Sequence, residues 1–261
     1  MMKERMPGWF IRIAGALVLA FLILPILIIF PLAANPAEYL SFPPTGISWR
    51  WFDAVLSDPG WLASLRLSLV VALVSTLCAV LLALAVALAL VRNDFRGKRL
   101  VYALILMPMI VPHIITSIAV YFFFSAVHIP ALAGMIIGHV ALAIPVATII
   151  VSATLQAFDI RLEQAALSLG ASRLTALRRI TLPLIAPGIA AAAIFAFLSS
   201  FDELLVALFL SSPEQQTLPV RIWNAVQFQL DPTIAAVSAL LILFSAAALA
   251  FGNFLQRKEQ A

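Results

Sequence analysis

From Leu100 to Phe158 the chain contains no Asp, Glu, Lys or Arg. A charge-free stretch of that length exceeds the roughly 20 residues that cross a bilayer once, so it must hold two spans. His128-Ile129-Pro130 marks the turn between them. The third span of the chain is expected over 100–126, with Pro108 and Pro112 inside it, and the fourth over 131–154, with Gly134 and Gly138 four residues apart and Pro145 further on. Paired small residues at that spacing let membrane helices approach closely. The composition agrees: 64% of residues are hydrophobic and 11% charged, where a soluble domain carries about 25% charged residues. The fold class expected is an all-α, polytopic integral membrane protein forming a single transmembrane domain over 1–261.

Four further spans complete a set of six. The first covers 9–32, with Pro25 as a kink. A signal peptide is the competing reading, but this apolar core is longer than the roughly 7–15 residues of such a peptide, and Pro36 spoils the small-residue cleavage sites. The second covers 62–91, with Arg66 near its outer end. The fifth and sixth cover 185–210 and 232–255. Between the first two spans, Ser48 is placed to cap a short helix carrying Trp49, Trp51, Phe52 and Val55, and tryptophans there suit an interfacial belt. Of the 16 lysines and arginines, only Arg50, Arg66 and Arg221 fall outside if both termini are cytoplasmic. The remainder, Lys3, Arg5, Arg12, Arg92, Arg96, Lys98, Arg99, Arg161, Arg173, Arg178, Arg179, Arg257 and Lys258, fall on the cytoplasmic side, as the positive-inside rule requires. The net charge of +4 follows that topology and is no sign of nucleic-acid binding. The single cysteine, Cys78, lies in an apolar segment and reads as a small hydrophobe.

Motifs for chemistry are missing. There is no G-x-x-x-x-G-K-[ST] phosphate loop, no H-E-x-x-H, no G-x-S-x-G and no Cys/His metal spacing. The histidines His113, His128 and His139 are scattered; His113, in the third span, suits a hydrogen bond to a neighbouring helix. The informative polar group at membrane depth is Ser199-Ser200-Phe201-Asp202-Glu203, in the outer part of the fifth span. Intramembrane carboxylates face protein or a water-filled path. Neighbouring positions on a helix point about 100° apart, so Asp202 and Glu203 cannot both face one lumen. One lines a path and the other pairs across a helix interface, or both merely bond to neighbouring helices.

The polar segment Asp159 to Pro183, DIRLEQAALSLGASRLTALRRITLP, reads as two short helices and a turn. Leu162, Ala165, Ala166 and Leu169 make one apolar face. Gly170 stands where a left-handed residue ends a helix. Ser172 caps a second helix with Leu174 and Leu177 inside and Arg173, Arg178 and Arg179 outside, and Pro183 opens the next apolar run. The alternatives are an amphipathic helix lying on the membrane surface and a docking element for a soluble partner.

The register Gln164-Ala165-Ala166, three residues, Gly170, nine residues, Ile180-Thr181-Leu182-Pro183 resembles the EAA loop of binding-protein-dependent ATP-binding cassette (ABC) importer permeases. The family's usual first Glu is Gln164 here, with Glu163 just before it. The resemblance implies that this loop (159–183, with Glu163, Gln164, Ala165, Ala166, Gly170, Ala171, Leu182 and Pro183) couples to a cytoplasmic ABC ATPase dimer. That dimer would bind ATP and Mg; this chain would bind no cofactor and catalyse nothing. Ser200-Phe201-Asp202-Glu203, Leu218 to Trp223 and Leu230 to Ala236 resemble the spermidine/putrescine-type branch of these permeases. The likeness implies a bacterial inner-membrane subunit paired with a homologous permease and served by a periplasmic solute-binding protein. Ser200, Phe201, Asp202 and Glu203 would lie on the path of a cationic solute, while similar permeases also take amino-acid-like, opine and phosphonate solutes. Arg221, Trp223 and Phe228, in the loop 211–231, would form the platform for the binding protein. A self-contained secondary transporter would instead show inverted repeats or several coupled intramembrane charges.

Overall fold

The computed structural model describes residues 8–228 and 231–258, with the side chains of 8, 11 and 248–258 outside that description. Lys3, Arg5, Leu230 and the side chains of Arg257 and Lys258 therefore lie outside the described residues. Among those described, no strand is found beyond an isolated bridge between Ser212 and Gln215.

The chain forms two units. One takes in the residues up to Leu62 together with Ile222–Ser245; the other takes in Ala63–Arg221 and the residues from Ala246 on. In the first unit, α1 (Gly8–Ala33) runs through Pro25 and Pro31 and turns its apolar side chains outward, Leu17 and Phe21 among them. The loop after it is ordered by buried Asn35. Its Nδ2 donates to the Ser41 hydroxyl, its Oδ1 accepts from Thr45, and its carbonyl accepts from the Trp51 indole at 2.9 Å. The short helix α2 (Arg50–Ser57) comes next. The cap position falls on Trp49, not on Ser48 as expected, and no described side chain caps the helix. Ser48 accepts from the Arg50 N–H one residue further out, closing the turn that precedes it.

The long helix α3 (Pro59–Arg92) leads into the second unit. The expected third span folds as two helices, α4 (Lys98–Ile110) and α5 (His113–Ala126), which meet at 103°. Pro112 explains the break. Its ring disfavours helical backbone at the preceding residue, and Val111 is extended there. Pro108, by contrast, sits inside α4, and Pro145 sits inside an unbroken α6 (Ala131–Ala157).

The 159–183 segment begins with α7 (Ile160–Ser168), capped by the Asp159 side chain. Gly170 has φ +87, the left-handed turn its position suggests. Ser172 caps α8 (Arg173–Ala176) as expected. Beyond Ala176 the fold departs from the expected pair of short helices. The backbone passes through a π-turn at Leu177–Thr181 straight into α9 (Leu182–Phe201), so one continuous helix runs from Arg173 to Phe201. Pro183 does not open a separate segment. A proline inside a helix clashes with the carbonyl four residues back, and the wider π-turn at that point relieves the clash. Leu174 is exposed and Leu177 only half-buried; Ala176 and Thr181 are the buried residues of this stretch. The π-turn shifts the register by one residue for the positions beyond it, so helical spacing carried through it misplaces the inward face there. The exposure of Leu174 lies before the turn and is not explained by it.

The core of this unit is formed by α3, α6 and α9. Ala83 and Ala87, Ala147, Val151 and Leu155, and Ile185 and Ala192 interlock in one cluster, and Ala79, Ala143 and Ala196 continue it. Alanines dominate because lipid gives helices no hydrophobic reason to associate, so contact depends on close backbone approach. The tightest point is Gly188 on α9: a Cβ there would run into the Thr154 hydroxyl on α6.

The expected fifth span, 185–210, is also interrupted. After α9 the chain breaks at Asp202–Leu204 and resumes as α10 (Leu205–Leu210). A Cβ on Gly138 would lie 2.7 Å from Val206 on α10, and one on Gly134 2.9 Å from Phe124 on α5. The paired glycines therefore serve two different contacts. The helices α11 (Leu218–Phe228) and α12 (Thr233–Lys258) complete the chain. Among the described residues α1, α3, α6 and the Arg173–Phe201 helix are long and apolar enough to cross a membrane. The bent α4–α5 pair would count as a fifth such segment, and the apolar part of α12, Thr233–Ala247, is shorter.

Candidate functional site

The first group of residues lies on the elbow from α7 to α9. Leu162, Ala165 and Leu169, expected on an apolar face, are exposed, Leu169 by 90%, and Ala166 is half-buried. The apolar stripe of α7 is thus uncovered. Gly170 is exposed too, and a Cβ added there would meet nothing within 4 Å. Gln164 points outward. Glu163 does not: its Oε2 pairs with Arg92 Nη1 at 2.7 Å and accepts from the Thr181 hydroxyl at 2.7 Å. Adjacent residues on one helix are thereby split, Glu163 tied inward and Gln164 left to the surroundings. Ala171 and Leu182 are half-buried and Pro183 is exposed.

The second group is the break between α9 and α10. The carboxylates are not on a continuous helix, so local turn geometry, not helical spacing, sets their directions. Glu203 is only 8% exposed. Its Oε1 accepts from the Leu205 N–H at 3.0 Å, and its Oε2 from Val206 at 2.9 Å and Ala207 at 3.3 Å. Those three donors open α10 and have no partner within their own helix. A carboxylate is well matched to them, because the amides at a helix start carry partial positive charge. Glu203 therefore creates the break by capping the helix beyond it.

Facing it on α6 is His139, buried, with Nδ1 2.8 Å from the Ser200 hydroxyl and Nε2 3.5 Å from Glu203 Oε2. The second distance is a near contact rather than a hydrogen bond. Ser200 and Phe201 are buried as well. Asp202, one residue away from Glu203, is exposed, and its carboxylate makes no hydrogen bond or ion pair among the described residues. Sequence reasoning alone misses His139. The signal is available: a histidine in a charge-free helix needs polar partners, and the Ser200–Glu203 segment is the nearest polar stretch at membrane depth. His113 opens α5 beside the Pro112 break and is exposed.

The third group, Arg221, Trp223 and Phe228, lies on α11. Leu218 and Val220 are buried, and the Leu218 N–H is held by the Ser68 hydroxyl at 2.7 Å. Trp223 and Phe228 are exposed, Phe228 by 81%.

Residues 79–259 match the family described as binding-protein-dependent transport system inner membrane component. The chain belongs to this family. As its members are, it is an inner-membrane permease subunit of an ABC importer. It is 30% identical over 257 residues to the spermidine/putrescine transport system permease protein PotC of Haemophilus influenzae, covering 97% of this chain and 99% of that one. It is 31% identical over 230 residues to the putrescine transport system permease protein PotI of Escherichia coli, covering 85% and 82%. Among solved structures, it superposes on a bacterial ABC transporter that imports the acidic polysaccharide alginate with a TM-score of 0.70 at 17% identity, covering 98% and 99%. On the inward-facing MetNI methionine ABC transporter the TM-score is 0.64 at 17% identity, covering 76% and 94%. Those two likenesses show that the helical fold is shared by permeases with unlike cargoes.

Proposed function

We propose that this permease forms half of the pathway for a cationic polyamine of the spermidine/putrescine class, with a second, homologous permease forming the other half. A periplasmic binding protein delivers the solute to the α11 side, with Arg221, Trp223 and Phe228 as its platform. Both termini and the 159–183 loop face the cytoplasm, the chain crosses the membrane six times, and the loop docks on an ABC ATPase dimer that holds ATP and Mg. Closure of that dimer tilts the spans and switches access.

The single observation that supports docking most strongly is the uncovered face of α7. Leu162, Ala165 and Leu169 project from the protein, next to a left-handed glycine with open space around it. For the solute, the support is the split of the acidic pair. Glu203 is engaged by the amides of α10, which leaves Asp202 as the exposed carboxylate able to meet an amine. The names of the relatives point to the same class of solute.

The experiment is reconstitution of the complete importer in liposomes with spermidine, putrescine, an amino acid and a phosphonate offered separately. ATP-dependent uptake of the polyamines alone supports the reading. Uptake of the amino acid or phosphonate instead transfers the same permease role to another solute. Uptake by this chain without any ATPase would make it a self-contained transporter and end the docking account.

A further inference from the structure

Four elements converge at one point beneath the loop. Arg92 is the last residue of α3, Phe158 ends α6, Glu163 lies in the first turn of α7, and Thr181 closes the π-turn before α9. The Arg92 guanidinium sits 5.5 Å from the centroid of the Phe158 ring and pairs with Glu163 at 2.7 Å, both side chains less than one-fifth exposed. Thr181 is fully buried and donates to the same carboxylate oxygen. Arg92 Nη2 is buried without a hydrogen-bond partner among the described residues, and the contacts the guanidinium makes among them are to Glu163 and the Phe158 ring. Its position at the C-terminus of a helix also favours a cation.

We infer that Arg92, Glu163 and Thr181 form a clamp that fixes the coupling loop to the ends of α3 and α9, and that Arg92 is a positioning residue for transmission rather than for docking. The inference rests on the proposed docking of the loop on an ATPase. Its physical basis is leverage. The turn at Gly170 is held by backbone hydrogen bonds to the end of α7, Gly170 N–H to the Leu167 carbonyl and Ala171 N–H to the Ala166 carbonyl. A side chain there would meet nothing within 4 Å, so no side-chain packing at the turn itself ties α7 to the helix that follows. Separating a largely buried ion pair leaves a charge without its partner, which is costly, and this pair joins residues from distant parts of the chain. The π-turn carries the clamp's third point, Thr181, which is buried there and donates to Glu163 on α7. Pulling on α7 then moves α3 and α9 with it. Glu163 is occupied inside the chain, and Gln164 is the residue of the pair that meets the ATPase.

The test uses the complete importer, with three readouts: ATPase co-purifying with the permease, ATP hydrolysis, and solute transported per ATP hydrolysed. Arg92→Gln and the nearly isosteric Thr181→Val should retain the ATPase and its hydrolysis while transport per ATP falls about fivefold or more, the low end of ordinary coupling between sites. Thr181→Ser, which keeps the hydroxyl, should stay near wild type. Exchanging the charges, Arg92→Glu with Glu163→Arg, should recover more transport per ATP than Arg92→Glu alone. An unchanged ratio in both Arg92→Gln and Thr181→Val would reduce the clamp to packing. Loss of the ATPase from Arg92→Gln would move the tie into docking and overturn the proposal. Failure of the wild-type permease to hold an ATPase would instead overturn the docking reading on which it rests.

Discussion

Glu163 and Glu203 are both withdrawn from solvent, but they hold different things. Glu163 joins side chains from distant parts of the chain, Arg92 and Thr181. Glu203 takes the backbone amides of Leu205, Val206 and Ala207 and has His139 at its edge. The first arrangement ties helices together and leaves their backbones intact. The second ends one helix and begins another. A carboxylate in a membrane protein can thus act as a bolt between elements or as a joint within one, and the identity of its donors decides which.

The largest effect is expected from breaking the joint. Glu203→Ala orphans three amides at the start of α10, and an unsatisfied buried donor costs about 1–3 kcal/mol. The thermal midpoint of the purified permease in detergent should fall steeply. Glu203→Gln keeps an acceptor oxygen and should lose much less. Equal losses for the two variants would mean that charge, not acceptor count, holds the break.

Next comes the contact between α6 and α9. Gly188→Ala drives a methyl into the Thr154 hydroxyl, and overpacking costs about 1–3 kcal/mol. Adding Thr154→Ala should restore most of the lost midpoint; no restoration would place the clash elsewhere.

The bolt should matter less to stability than the joint. Glu163→Gln keeps an acceptor for Thr181 and removes the charge facing Arg92. The pair is partly screened, so the loss should be about 1 kcal/mol, at the top of the range for exposed pairs and below that for buried ones. A larger midpoint drop for Glu163→Gln than for Glu203→Ala would reverse the comparison.

The smallest structural effect is expected at Asp202, whose exposed carboxylate has no hydrogen-bond or ion-pair partner among the described residues. Asp202→Asn should leave the thermal midpoint unchanged within error while raising the concentration of polyamine needed for half-maximal uptake. Unchanged uptake would remove Asp202 from the path.

The sequence shows much of this architecture and hides a definite part. Charge-free length reveals the apolar helices, and the Gly-Leu-Pro register reveals the elbow, because both depend on local composition. Gly134 and Gly138 announce close packing correctly but not their partners, Phe124 and Val206, which are brought to them by the chain fold. The break at Asp202–Leu204 reads as helix in sequence because every residue from Leu204 to Leu210 suits one. Only the three-dimensional placement of the Glu203 oxygens against the α10 amides ends α9 early. The π-turn is hidden for a similar reason. It is a one-residue change of register with no distinctive residue of its own, beyond the proline after it. Arg92 reads simply as one of the basic residues flanking a span, since nothing in sequence places it beside Glu163.

The central claim, that the 159–183 elbow faces the cytosol to be gripped by an ATPase, is tested most directly by thiol labelling. Ala165, exposed on the uncovered face of α7, is replaced by cysteine in a Cys78→Ser background, and a membrane-impermeant maleimide is applied to right-side-out and inverted vesicles. The account predicts labelling in inverted vesicles, diminished when the ATPase is bound, and none in right-side-out vesicles. Labelling in right-side-out vesicles alone would contradict it.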